Sequence, residues 1–164
     1  MGLDTYAAVV TVEDGKRQLD TSLPGRVNYT TTYVAPDGQL VTYTQSVATG
    51  FEKVPSLTGG IMSGNGNNGS FRGKCYAELV EEVTGYSLYE DELPPPVVNK
   101  MAAMLRQASD ENPLQGTPEE ALEAINAACK LGFINTIELA YELNALACWF
   151  EACASQGYSV IGWW

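Results

Sequence analysis

The sequence predicts an α+β fold, on three observations. Strand-like alternation fills the N-terminal part, a stretch rich in glycine and asparagine follows, and from Lys74 the apolar spacing changes to that of helices. The chain is expected to form a single domain over 1–164, β-rich at 1–50, with a long loop at 51–73, helices over 74–156 and a short strand at 158–164.

Tyr6 to Val12 is β-prone and runs into Glu13-Asp14-Gly15-Lys16, a turn signal. Asn28 to Val34 and Leu40 to Ser46 flank Ala35-Pro36-Asp37-Gly38, which predicts an antiparallel hairpin over 28–46. Tyr29, Thr31 and Tyr33 alternate there with Thr30 and Thr32, and Val41 and Tyr43 with Thr42 and Thr44. One hairpin face is therefore expected to pack through aromatics and the other to present hydroxyls to water.

About four helices are expected on one face of this sheet. Tyr76, Leu79, Val80 and Val83 form the first stripe, closed by Gly85 as a C-cap. Pro94-Pro95-Pro96 open the second, with Val97, Val98, Met101, Met104 and Leu105 on its apolar side, and Thr117-Pro118-Glu119-Glu120 opens the third, ending at Gly132. The last runs from about Thr136 to Ser155, buries Leu139, Leu143, Leu146, Ala147 and Phe150, turns Glu138, Glu142 and Glu151 outward, and stops at Gly157.

Charge is split along the chain. Residues 1–74 hold six acids and six bases, whereas 75–164 hold fourteen acids against Lys100, Arg106 and Lys130, so the second part carries the whole net charge of −11. Such a field disfavours direct nucleic-acid binding and favours basic partners. No apolar run approaches the ~18 residues of a membrane helix, and no secretory leader pattern opens the chain, so a cytoplasmic protein is expected. Cys75, Cys129, Cys148 and Cys153 show no Cys-x-x-Cys pairing and read as reduced thiols in helical surroundings.

The chain contains no histidine, which removes the Ser-His-Asp and Cys-His arrangements and the common catalytic zinc sites. The acids show no calcium-loop spacing, and no metal or cofactor is expected. Gly64-Asn65-Gly66-Asn67-Asn68-Gly69 fits G-x-G-x-x-G literally, but it neither follows a strand nor opens a βαβ unit. Gly73-Lys74 lacks the rest of a P-loop, because Cys75 stands where Ser or Thr would hold magnesium. What remains is an anion site of a general kind over 64–74. Ser70, Phe71, Arg72, Gly73 and Lys74 would place two cations and free backbone amides at a helix start, with Tyr29, Tyr33 and Tyr43 of the hairpin able to stack a base.

Met1-Gly2-Leu3-Asp4, Ser70-Phe71-Arg72-Gly73-Lys74-Cys75-Tyr76, Thr84-Gly85-Tyr86-Ser87-Leu88-Tyr89 with Pro95-Pro96, and Gly162-Trp163-Trp164 resemble a family of short bacteriophage and prophage proteins to which no activity is attached. The resemblance implies a small phage accessory protein and assigns no functional residue. Three function classes follow, two of them binding roles. One is a non-enzymatic inhibitor of a host defence factor, acting through protein contacts at Tyr89, Glu90, Asp91, Glu92, Trp149, Trp163 and Trp164. The other is a small-molecule module that sequesters a nucleotide-like anion at 64–74, and a histidine-free enzyme is a third. Self-association through the hairpin edge or the C-terminal tryptophans is open on either reading.

Overall fold

The computed structural model describes residues 2–23, 26–55, 57, 69–111 and 136–164. In chain order they form β1 (Asp4–Glu13), β2 (Lys16–Asp20), β3 (Arg26–Val34), β4 (Leu40–Ala48), β5 (Ser70–Phe71), a 3-10 turn at Gly73–Cys75, α1 (Ala77–Thr84), α2 (Pro95–Asp110), α3 (Thr136–Gln156) and β6 (Ser159–Trp163). The α+β class is as expected. The helix expected at 117–132, with Cys129, and most of the glycine-rich loop lie outside the described residues.

β1 organises one antiparallel sheet. Its first half pairs with β6, from Asp4 opposite Trp163 to Ala8 opposite Ser159, and with β5 through Thr5 opposite Phe71 and Tyr6 opposite Ser70. Its second half pairs with β2, from Val9 opposite Asp20 to Glu13 opposite Lys16, across a turn in which Asp14 and Gly15 both take positive φ. Burial follows this division: Thr5, Ala7 and Ala8 are buried, whereas Thr11 to Glu13 and all of β2 are exposed. The residues of β2 carry no strand signal, and β2 pairs with β1 across this tight turn.

β3 and β4 form a second sheet of their own, with nine consecutive antiparallel pairs from Arg26 opposite Ala48 to Val34 opposite Leu40. The turn forms as predicted, with the Gly38 amide donating to the Ala35 carbonyl at 2.9 Å and the Ala35 amide to Gln39 at 2.8 Å. The expectation that one face packs is corrected. Tyr33 and Tyr43 on one face, and Val34 and Leu40 on the other, are all exposed, since no second layer covers the distal part of this ribbon among the described residues, whereas Val47 and Ala48 at its base are buried.

The helices start and stop where their punctuation places them. α1 ends at Gly85, which is left-handed (φ 74°) and returns its amide to Glu81, and α2 starts with Pro95 after an extended Pro94. α2 packs along α3, and burying Val98, Met101 and Leu105 against Leu143, Leu146 and Phe150 supplies much of the core. α3 is buried almost all round in its second half, so the single-face expectation fails there. Glu142 is buried rather than outward, and its carboxylate accepts a 2.7 Å hydrogen bond from the Tyr76 hydroxyl. Trp149 is fully buried as well, and meets Phe51, Phe71 and Phe150 at ring centroid distances of 5.9, 4.8 and 5.1 Å.

Where α3 gives way to β6, burial pushes the Cys153 thiol well above its ordinary value of 9.0, and burial together with the neighbouring Cys153 raises the Tyr158 phenol above 10.0. Raised native values keep both groups protonated longer in the folded state than in the unfolded one. Their contribution is complete below the unfolded values and is lost as pH rises through about 9 and beyond, because the unfolded chain then binds fewer protons. Denaturant unfolding followed from pH 7 to 11 is expected to show a falling midpoint over this window, flattened in Cys153→Ala.

Candidate functional site

The segment 69–76 is built into the core and is not an open anion cradle. Phe71 is fully buried, packed edge-on to Tyr76 and Trp149. Gly73 sits against Thr5 Oγ1 and the Leu3 side chain, with no room for a Cβ. The amides expected to be free are used by the chain itself: Lys74 donates to the Leu3 carbonyl at 3.1 Å, Cys75 to Arg72 at 3.4 Å and Tyr76 to Gly73 at 2.9 Å. Three amides of the expected helix-start site are thereby taken up within the chain.

The cations of this segment are placed differently from each other. The Arg72 guanidinium lies over Gly2, with Nη1 3.8 Å from Asp4 Oδ1, while Lys74 is exposed. Ser70 is half-buried in β5. Tyr33 and Tyr43 stand on the separate hairpin sheet as a T-shaped pair at 6.3 Å, and the side chain of Tyr29 lies outside what is described. The residues expected to form one ligand site are thus distributed over two sheets, with Phe71 and Gly73 in the packing rather than on the surface.

The second group is brought together. Leu93 and Val160 exchange two backbone hydrogen bonds of 2.7 and 2.9 Å, which fastens the turn after Tyr89 to β6. Glu92 adds a polar tie: Oε1 accepts from Arg17 Nη2 at 2.6 Å and from the Ser159 hydroxyl at 2.9 Å. Glu92 is therefore a positioning residue whose carboxylate joins β2, the turn and β6. Being partly exposed, its ion pair contributes at most about 1 kcal/mol.

On this base Tyr89 and Trp164 meet edge to face at 6.0 Å, 45% and 46% exposed, and Trp163 projects at 72%. Asp91, Gly162, Trp163 and Trp164 line a shallow depression, and Glu90 and Asp91 are exposed beside it. The Tyr89–Trp164 pair, the depression at Asp91, Trp163 and Trp164, and the exposed Glu90 next to Asp91 in the chain make up one candidate surface. Trp149, expected among them, belongs to the core instead, because its position on α3 faces the sheet side.

Two other polar arrangements were not evident from sequence. Arg106 on α2 makes a two-pronged contact with Glu151 on α3, at 2.7 and 2.9 Å, and also donates to Asn144 Oδ1 at 3.0 Å and Cys148 Sγ at 3.4 Å. The Glu151 carboxylate raises the Arg106 pKa, so the guanidinium stays charged and pins the two helices together. Glu78, Glu81, Glu82 and Gly85 line a broad acidic depression beside α1. Among the described residues no three His, Cys, Asp or Glu side chains group as metal ligands, and no helix is long and apolar enough to cross a membrane.

Comparison with family models, with curated proteins and with solved structures returns no match. The site is therefore read from its own chemistry.

Proposed function

We propose that this chain is a non-enzymatic accessory protein that binds and inhibits a host factor through protein contacts, and that its contact surface is the platform of Tyr89, Glu90, Asp91, Trp163 and Trp164. The observation that carries this reading is the exposure of two tryptophans beside carboxylates on a strand held from both sides. Large aromatics left in water cost free energy that a partner recovers, and Trp and Tyr are over-represented among residues that dominate interfaces. A defence factor as the target is in keeping with the resemblance to short phage proteins.

The chemistry also describes the partner's surface. An Arg or Lys side chain laid on an indole face gains a cation–π contact while its charge is met by Asp91 or Glu90, and the net charge of −11 attracts a basic partner at long range. Capture from a host lysate is expected to retain a partner on the wild-type protein and to lose it on Trp163→Ala/Trp164→Ala. Truncation of two central aromatics weakens binding by roughly 30-fold or more. Both residues are exposed, so the variant keeps its unfolding midpoint. Equal capture by the folded variant would contradict the assignment of this surface.

A further inference from the structure

The β3–β4 ribbon is the least explained part of the fold, and we infer that it is an arm by which two copies of this chain pair edge to edge through Leu40–Thr44 of β4. An isolated two-stranded ribbon is marginal in water, because it buries little apolar surface against its ordering cost. This one runs for nine pairs and exposes Tyr33, Val34, Leu40 and Tyr43. Among the described residues β3 and β4 pair only with each other, so each retains an open edge.

Exposed edges are normally blunted by lysines, prolines, inward charges or bulges. This arm has none of these. Its ladder is unbroken, Pro36 lies in the turn, and the charged residues over 26–48 are Arg26 and Asp37 alone, so the arm is neutral while the remainder carries −11. That contrast selects the occupant. A basic partner is drawn to the acidic part at 75–164, whereas a second copy is repelled there and meets no like charge along the arm.

Of the two edges, β4 is the one without any charge, since β3 begins at Arg26. Antiparallel pairing about Thr42 sets Leu40 opposite Thr44, Val41 opposite Tyr43 and Thr42 opposite its own copy. This register uses the distal part of the strand and holds the two acidic bodies at opposite ends. It leaves Val47 and Ala48 undisturbed in their buried positions at the base. Hydroxyls already join across the ribbon, Thr32 to Thr42 at 2.9 Å and Thr30 to Thr44 at 3.0 Å, so threonine presents the same face to the neighbouring copy.

Light scattering after size exclusion is expected to show a dimer that dissociates on dilution. Thr42→Lys places like charges opposite each other across the two-fold and is expected to give a monomer with an unchanged circular dichroism spectrum. A second variant joins Val27 to Val47, which are paired partners, through Asn-Gly in place of 28–46, and is also expected to be monomeric. Amide exchange at high and low concentration then locates the contact, with protection gained in Leu40–Thr44. A monomer at every concentration, a dimer that survives removal of the arm, or protection gained in β3 rather than β4 would overturn the inference.

Discussion

Replacing Trp149 with alanine is expected to lower stability by about 3–5 kcal/mol, the range for removing a large buried aromatic and leaving a cavity that neighbours fill only partly. Phe51, Phe71 and Phe150 all rest on this indole, so one substitution strips contacts from the strand β5, from the segment after β4 and from α3 together. The indole nitrogen is buried without a hydrogen-bond partner among the described residues. Trp149→Phe removes that unpaired donor along with one ring and is therefore expected to cost clearly less than alanine. Urea unfolding of the two variants measures both effects. A loss below about 1 kcal/mol for alanine would show that this aromatic cluster is not what ties the sheet to α3.

Gly162→Ala is expected to cost about 1–3 kcal/mol and to act on the contact surface as well as on stability. A methyl group there would collide with the Leu88 carbonyl oxygen and press on Leu3 and on the Trp164 ring at 3.0 and 3.3 Å. The backbone of Leu88 cannot move without displacing Tyr89 from Trp164. β6 must shift, and the paired exchange between Leu93 and Val160 that fastens the surface weakens with it. A lower unfolding midpoint together with reduced partner capture is the expected pair of results. Reduced stability with capture unchanged would show that the geometry at Gly162 does not support the surface.

Local punctuation made much of the fold legible. Ala35-Pro36-Asp37-Gly38 set the hairpin, Gly85 and Gly157 close helices in left-handed conformations, and Pro95 opens α2, because each of these requires only a residue's own backbone preferences. Non-local partners hid the rest. Glu142 occupies an outward position by helical spacing, yet Tyr76, 66 residues away, draws it into the interior. Helical spacing gives α3 one buried face and leaves Trp149 off it, whereas α2 covers one side of the helix and the aromatics Phe51 and Phe71 cover another. At 69–76 the residue types suited an anion, but Leu3, Arg72 and Gly73 supply carbonyls that consume the amides. Of the residues singled out for contact, Tyr89 meets Trp164, and Asp91, Trp163 and Trp164 line one depression. The ties that bring them together, Leu93 to Val160 and Glu92 to Arg17 and Ser159, are carried by registers and distances that no local pattern records.

The central claim is that the chain works through the aromatic and acidic surface at its C-terminal strand and not through the cations of 70–74. The most direct test compares Trp163→Ala/Trp164→Ala with Arg72→Ala/Lys74→Ala in parallel capture from host lysate, with both variants verified as folded. Loss of the partner in the tryptophan variant and its retention in the cation variant is the predicted result. The reverse pattern would contradict the account and move the site to the segment around Arg72.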